Sequence, residues 1–199
     1  MTWDTCVKDY LQLIKGGCPE ELRPTWCRRC QSEAKFHKHG EYKRTIITIG
    51  EPLEITVFRF KCSSCNMTCS ILPPFLRRNH IAALDVQEQV TLRHIQGISL
   101  RIISEQLPAQ LAFSEKTLWR WKKYWQKRLD RLRSTFWPIV LARCPHLLFP
   151  RGGSSVPSSS WAWFFWVWNK TRGQWTDRPA GALQWLVLLS QPVAVTAGG

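Results

Sequence analysis

Two short pairs of cysteines carry the clearest chemical signal in this chain. Cys27-Arg28-Arg29-Cys30 and Cys62-Ser63-Ser64-Cys65 each set two thiols three residues apart. On a tight turn that spacing aims both sulfurs at one point, and two such turns supply four ligands. A single C-x-x-C pair also serves thiol–disulfide exchange. Two pairs around a strand-rich segment point to one tetrahedral Zn2+ held by Cys27, Cys30, Cys62 and Cys65. Four protein ligands leave no open coordination position, so such a site holds a fold together and does no chemistry. The competing reading is a free or disulfide-bonded dithiol. Cys69 is either an alternative ligand or a small buried apolar residue. Cys18 and His37 or His39 are lesser alternates, and Cys6 and Cys144 read as plain cysteines.

The elements that must position these thiols are legible around them. Residues 44–49 are β-branched and strand-like, residues 50–52 carry a Gly-Glu-Pro turn signal, and residues 55–60 form a second strand running into Cys62. A β-hairpin ending in one cysteine knuckle and facing another is a zinc ribbon. Asn66 follows the second pair and tolerates a left-handed backbone; Gln31 follows the first and suits it less. Residues 36–44 mix basic and aromatic side chains, which suits phosphate contact or equally a solvated strand edge. Trp3, Cys6, Val7, Tyr10, Leu11 and Ile14 recur at helical spacing, and Gly16-Gly17 ends that helix.

Charge sets the class of partner. Twenty-eight Lys and Arg face fourteen Asp and Glu, a net +14, which argues for a polyanion, of which nucleic acid is the commonest. The first residues lack the order of a secretory signal, and no apolar run reaches about 18 residues, so no membrane span is expected. Cysteine pairs without a signal fit a reducing, cytoplasmic setting.

Beyond an extended, Pro-containing stretch at 72–78, the pattern turns helical. Asp85 and Glu88 form a D-x-x-E capping pattern, so a helix is expected from about Val86 to Gln96, stopped by Gly97. Ser99 can cap a second helix and Ser114 a third. The third carries an apolar stripe of Leu118, Trp121, Trp125, Leu129, Leu132 and Phe136. Lys116, Arg120, Lys122, Lys123, Lys127, Arg128, Arg131 and Arg133 occupy its other faces, opposed only by Glu115 and Asp130. Three helices with the last one basic read as a helix-turn-helix, whose third helix enters the major groove. The residues expected to meet DNA are Lys116, Thr117, Trp119, Arg120, Lys123, Lys127 and Arg131. One departure stands: the connection from Leu107 to Ser114 exceeds the usual three or four residues. Residues 151–160 read as a flexible linker, and the apolar runs at 161–168 and 183–189 as a poorly defined tail that docks on the protein, a partner or a membrane surface, or never evolved to fold.

The expected organisation is therefore α+β: an N-terminal helix (1–17), a zinc ribbon (18–80), a three-helix helix-turn-helix domain (81–149), a linker (150–160) and a Trp-rich apolar tail (161–199). Taken in order, Cys27-x-x-Cys30, His39-Gly40-Glu41-Tyr42-Lys43-Arg44, Arg59-Phe60-Lys61-Cys62-x-x-Cys65, Leu72-Pro73-Pro74-Phe75-Leu76, Gly97-Ile98-Ser99 and Ser114-x-x-Thr117-Leu118-x-Arg120-Trp121 resemble the zinc-ribbon plus helix-turn-helix module at the N-terminus of insertion-sequence transposases. They resemble even more closely a related family of stand-alone bacterial proteins of the same layout. The resemblance covers roughly residues 25–130. It implies binding to DNA at mobile-element ends or an operator, a nucleoid-associated location, and a transposase or recombinase as a further partner. It does not carry over catalysis. Transposases of this kind cut DNA with an acidic triad and two metal ions, and after Asp130 the only acidic residue here is Asp177.

The leading expectation is thus a non-catalytic DNA-binding protein, either a transposition accessory factor or a transcriptional regulator. The alternatives are a protein-interaction adaptor that uses the ribbon and the Trp-rich tail, a truncated transposase remnant, and a dithiol oxidoreductase. The last lacks the βαβ context of thioredoxin-like proteins.

Overall fold

The computed structural model describes residues 2–150 and 157–190. Positions 151–156 of the expected linker and 191–199 of the expected tail lie outside the described residues. Within them the chain is α+β, with two small antiparallel sheets and seven α-helices. It divides between Val86 and Gln87 into two compact units.

The first unit opens with α1 (Trp3–Ile14). Its stripe buries Cys6 and Tyr10, and Gly17 ends it with φ of 106°, a left-handed angle that costs glycine little. A two-residue ladder, β1 (Trp26–Cys27) with β2 (Ser32–Glu33), carries the first cysteine pair. The main sheet is antiparallel in the order β3 (Phe36–Ile47), β4 (Pro52–Cys62), β5 (Thr68–Ile71). The hairpin turn is held by Thr48 Oγ1, which donates to Glu51 O at 2.8 Å. A β-bulge between Lys38 and Gly40 shifts the register. Gly40 takes φ of 135° there, which is why a glycine suits the position.

Alternation along β4 drives Phe58, Phe60 and Cys62 into a small core with Cys27 and Phe36. Ile14, Leu22, Met67 and Ile71 pack around it. Tyr10 donates its hydroxyl to Thr56 O at 2.9 Å and meets Phe75 edge-on at 5.6 Å. The extended stretch after β5 pairs back onto β3: Ile47 N–H donates to Ile81 O, and Ala83 N–H to Ile47 O, each at 2.9 Å.

The second unit contains most of α2 (Leu84–Ile95), then α3 (Leu100–Gln106), α4 (Glu115–Arg131), α5 (Phe136–Arg143), α6 (Ser160–Thr171) and α7 (Ala182–Leu189). Ser99 and Ser114 cap α3 and α4 as expected, accepting from Ile102 N–H and Thr117 N–H. Gly97, at φ of 94°, stops α2. The helix starts at Leu84, before the expected cap. Asp85 sits inside the first turn, where its buried carboxylate accepts from Ile49 N–H at 2.9 Å and Val86 N–H at 2.7 Å. Glu88 instead accepts from Leu183 N–H at 2.8 Å. Distant donors, Ile49 and Leu183, thus share these carboxylates with the local Val86 N–H.

Of the outcomes left open for the apolar tail, its described part docks on the protein itself. Residues 160–189 are ordered into α6 and α7, and Phe164, Trp168, Trp175 and Trp185 are buried. Phe164 stacks on Trp185 at 4.9 Å, and Phe136 touches both rings at 5.8 Å. Polar groups fix the seat of the two helices. Trp161 Nε1 donates to Gln126 Oε1 at 2.6 Å, and Arg128 donates to Ser190 Oγ at 2.7 Å and Val187 O at 3.2 Å. α6 buries Phe164, Phe165, Val167 and Trp168 and leaves Trp161, Trp163 and Trp166 half-buried, while α7 buries residues 182–186; that apolar burial is the physical reason this segment folds.

Candidate metal centre and candidate nucleic-acid interface

Each cysteine pair lies on a turn of the same construction. Gln31 N–H donates to Cys27 O at 2.9 Å, and Asn66 N–H donates to Cys62 O at 3.0 Å. Gln31 and Asn66 both adopt left-handed backbone, at φ of 53° and 59°. Asn66 was expected there; Gln31 was not, and the geometry of the turn overrides its preference. The second turn is tied to the residue just before β3 by Ser63, whose N–H donates to Lys35 O at 2.9 Å.

These turns bring the four predicted ligands together. The Sγ atoms of Cys27, Cys30, Cys62 and Cys65 all lie within 4.8 Å of one another. Across the site, Cys27 to Cys65 is 3.6 Å and Cys30 to Cys62 is 3.9 Å. These separations are far beyond a disulfide bond, and all the cysteines are free thiols. Backbone N–H groups point at the first sulfur of each turn. The N–H of Cys65, followed by that of Ser64, holds the Cys62 thiol down to about 6. The Cys30 N–H, 3.5 Å from Cys27 Sγ, lowers Cys27 in the same way. Hydrogen bonds to neighbouring thiols push Cys30 up to about 12. Two sulfurs are thus biased toward thiolate, the form that binds metal. The cluster can hold a metal ion, and it fits a zinc ribbon. Cys69 and Cys18 pack against the ribbon core instead of joining the four, and His37 and His39 are exposed on β3.

The basic residues are distributed by the periodicity of α4. Leu118, Trp121, Trp125 and Leu129 are buried, with Trp125 Nε1 donating to Gln87 Oε1 at 3.1 Å. Lys116, Trp119, Arg120, Lys123, Lys127 and Arg131 are exposed, and Thr117 is half-buried at their edge. Lys123 Nζ stands 4.9 Å from the centre of the Trp119 ring, which is 50% exposed. Among the described residues none of the five Lys and Arg in this strip forms an ion pair. Arg128 does not belong to the strip; its guanidinium anchors α7.

The basic–aromatic stretch at 36–44 does not behave as one surface. The Lys38 ammonium sits over the Phe58 ring and pairs with Glu41 at 2.9 Å. Lys43 pairs with Glu54 at 2.7 Å, and Arg44 donates to His80 O. Its cations are largely engaged. Sequence reasoning passed over Arg59 and Lys61, which interrupt the buried residues of β4; strict alternation in 58–62 was the signal that could have found them.

No helix among the described residues is long and apolar enough to cross a membrane. No protein-family model, curated protein or solved structure matches this chain.

Proposed function

We propose that this chain is a DNA-binding protein in which a zinc ribbon and a helix-turn-helix share one polypeptide, with no catalytic domain of its own. It would act as a transposase-related accessory factor or a transcriptional regulator, cytoplasmic and nucleoid-associated, with duplex DNA as its partner. The observation that carries the reading is the α4 strip: unpaired Lys and Arg on one face of a helix whose opposite face is locked into a core. A solvated helix face has no reason to collect one sign of charge. The order of α2, α3 and α4 supports a helix-turn-helix. Ser104 Oγ, donating to Phe113 O at 2.7 Å, ties α3 to the residue before the α4 cap.

Zinc is the proposed ion because four thiolates in tetrahedral array favour it. Zinc–sulfur bonds of ~2.3 Å place tetrahedral sulfurs ~3.8 Å apart. The 3.6 and 3.9 Å separations match that spacing. When bound, the ion would lock the two knuckles together and leave no position for substrate. A dithiol oxidoreductase has less support, since both sheets are antiparallel. An adaptor gripping with its tail has less support too, since Phe164, Phe165, Trp168 and Trp185 are buried in the chain's own core.

The test is fluorescence anisotropy on a selected duplex and a scrambled one at several salt concentrations. Arg120→Ala, by removing a bidentate base contact, should cost about 1–3 kcal/mol on the selected duplex and relax preference at one position. Lys127→Ala should weaken both duplexes alike and reduce the salt slope by about one unit. Parent-like binding by both variants would show that α4 does not read DNA.

A further inference from the structure

We propose that the outer face of the ribbon sheet, centred on Arg59 and Lys61, is a second contact surface for the phosphate backbone of duplex DNA; this rests on the DNA-binding function proposed above. The pleat creates the face. Phe58, Phe60 and Cys62 turn into the core, so Arg59 and Lys61 turn out. Cross-strand register then defines two rows. His37, Lys61 and Thr68 lie side by side in one, and Gly40, Arg59 and Ser70 in the other. Every residue of the two rows is exposed or half-buried.

Three features of the rows suit a phosphate backbone. The first is unpaired charge. Two cations stand on the middle strand about 6.6 Å apart along it, and among the described residues neither has an ion-pair partner. The acids carried by β3 and β4 are occupied elsewhere, Glu41 by Lys38 and Glu54 by Lys43. Like charges held side by side on a sheet repel, and a polyanion relieves them. The second is donor chemistry: the Thr68 and Ser70 hydroxyls flank the cations. The third is access. Gly40 lies directly opposite Arg59, and a Cβ built on it would meet nothing within 4 Å. A phosphate can therefore approach the backbone beside the guanidinium. Positive charge and hydroxyl donors on a sheet face are the chemistry of backbone contact, so this face should add affinity without sequence preference.

The experiment uses the full zinc-loaded chain and the same two duplexes. Arg59→Thr/Lys61→Thr keeps strand-compatible residues, and Arg59→Gln/Lys61→Gln keeps side-chain length; parent-like zinc content and melting establish that a variant is folded. Losing two phosphate contacts should lower the slope of log affinity against log salt by about 1.8, so the loss of affinity between about 50 and about 200 mM salt shrinks roughly twelvefold. The effect should be equal on both duplexes, and Lys43→Thr, whose ammonium is already engaged by Glu54, should leave the slope alone. An unchanged slope in the folded double variants overturns the inference, as does an equal loss in Lys43→Thr, which would mean a diffuse charge effect. Loss of binding to phosphatidylglycerol vesicles with duplex binding intact would assign the face to a membrane surface and overturn it too. If the α4 variants weaken binding and the ribbon variants do not, α4 remains the reader and this face falls alone. If neither set matters, both readings fall.

Discussion

Exchanging the sulfur of Cys62 for oxygen is the sharpest perturbation of the ribbon. Cys62 is fully buried, ends β4, and lies 3.9 Å from Cys30 Sγ, so one atom serves both the sheet and the site. Structural zinc sites contribute roughly 10–16 kcal/mol near neutral pH, or roughly 3–4 kcal/mol per ligand if shared equally. At about 1.4 kcal/mol per tenfold change, losing one ligand lowers zinc affinity by at least roughly a hundredfold. A buried serine hydroxyl without a partner costs about 1–3 kcal/mol more. Against this stands a small core: Cys27, Phe36, Phe58, Phe60 and Cys62, two of them proposed ligands themselves. A whole domain has a margin of only about 5–15 kcal/mol, and small units sit at its low end. Cys62→Ser should therefore purify without zinc and with the ribbon unfolded. Metal analysis gives the stoichiometry, cobalt substitution reports thiolate coordination through its charge-transfer absorption, and chelator competition gives the affinity. Full zinc in a Cys27→Ser/Cys62→Ser double variant would refute the assignment. Loss of zinc in Cys69→Ser alone would show that a ligand was misidentified.

Acid should act on the same site. The Cys62 thiol is lowered from an ordinary 9.0 to about 6 by the Cys65 and Ser64 N–H groups. A depressed thiol stabilises the fold fully above its ordinary value and loses that contribution as pH falls through the folded value. The metal-free ribbon should thus weaken as pH falls from about 9 to about 6. Zinc affinity should fall over the same range, because zinc competes with protons for sulfur.

Two other perturbations probe the rest of the chain. Phe164 is fully buried and stacked on Trp185, so Phe164→Ala should cost about 3–5 kcal/mol in urea unfolding of the helical unit; a cost below about 1 kcal/mol would show that α6 is not part of the core. Burial, followed by the Arg77 and Arg44 charges, holds His80 down to about 4 from 6.5. Its contribution is full above 6.5 and is lost as pH falls through about 4. Plotted against pH, the unfolding midpoint of His80→Gln should fall less steeply across that window than the parent's, and parallel curves would refute the shift.

How much of this was legible in the sequence depends on whether a signal was local. Cysteine spacing, the β-branched strands, and the Ser99 and Ser114 caps are local, and the structure reproduces them. Gln31 was misjudged because side-chain preference was weighed above turn geometry; a knuckle demands a left-handed residue after its second cysteine, whatever its type. The capping box at Asp85 and Glu88 was misread because both carboxylates found distant N–H donors, of Ile49 and Leu183. No local pattern announces those. The tail was left undecided for a different reason. An almost wholly apolar run shows no amphipathic face, so its periodicity does not say which side will be buried or against what.

Charge is where a sequence misleads most. The net +14 argues for a polyanionic partner, but it does not say which cations remain to meet one. Arg23 is clamped by Glu20 and donates to Phe36 O. Lys38 and Lys43 are held by carboxylates, Arg44 by the His80 carbonyl, and Arg128 by the end of α7. Each would have to give up an existing bond to touch a phosphate, and the exposed salt bridges among them are worth little to the fold in any case. Among the cations outside those bonds, two sets line up on regular elements. α4 displays one every three or four residues along a helix, and β4 displays two, Arg59 and Lys61, two residues apart on a strand. Both periods are those at which side chains share a face. A surface built that way has a spacing as well as a sign, and spacing is what separates a nucleic-acid contact from a merely soluble basic protein.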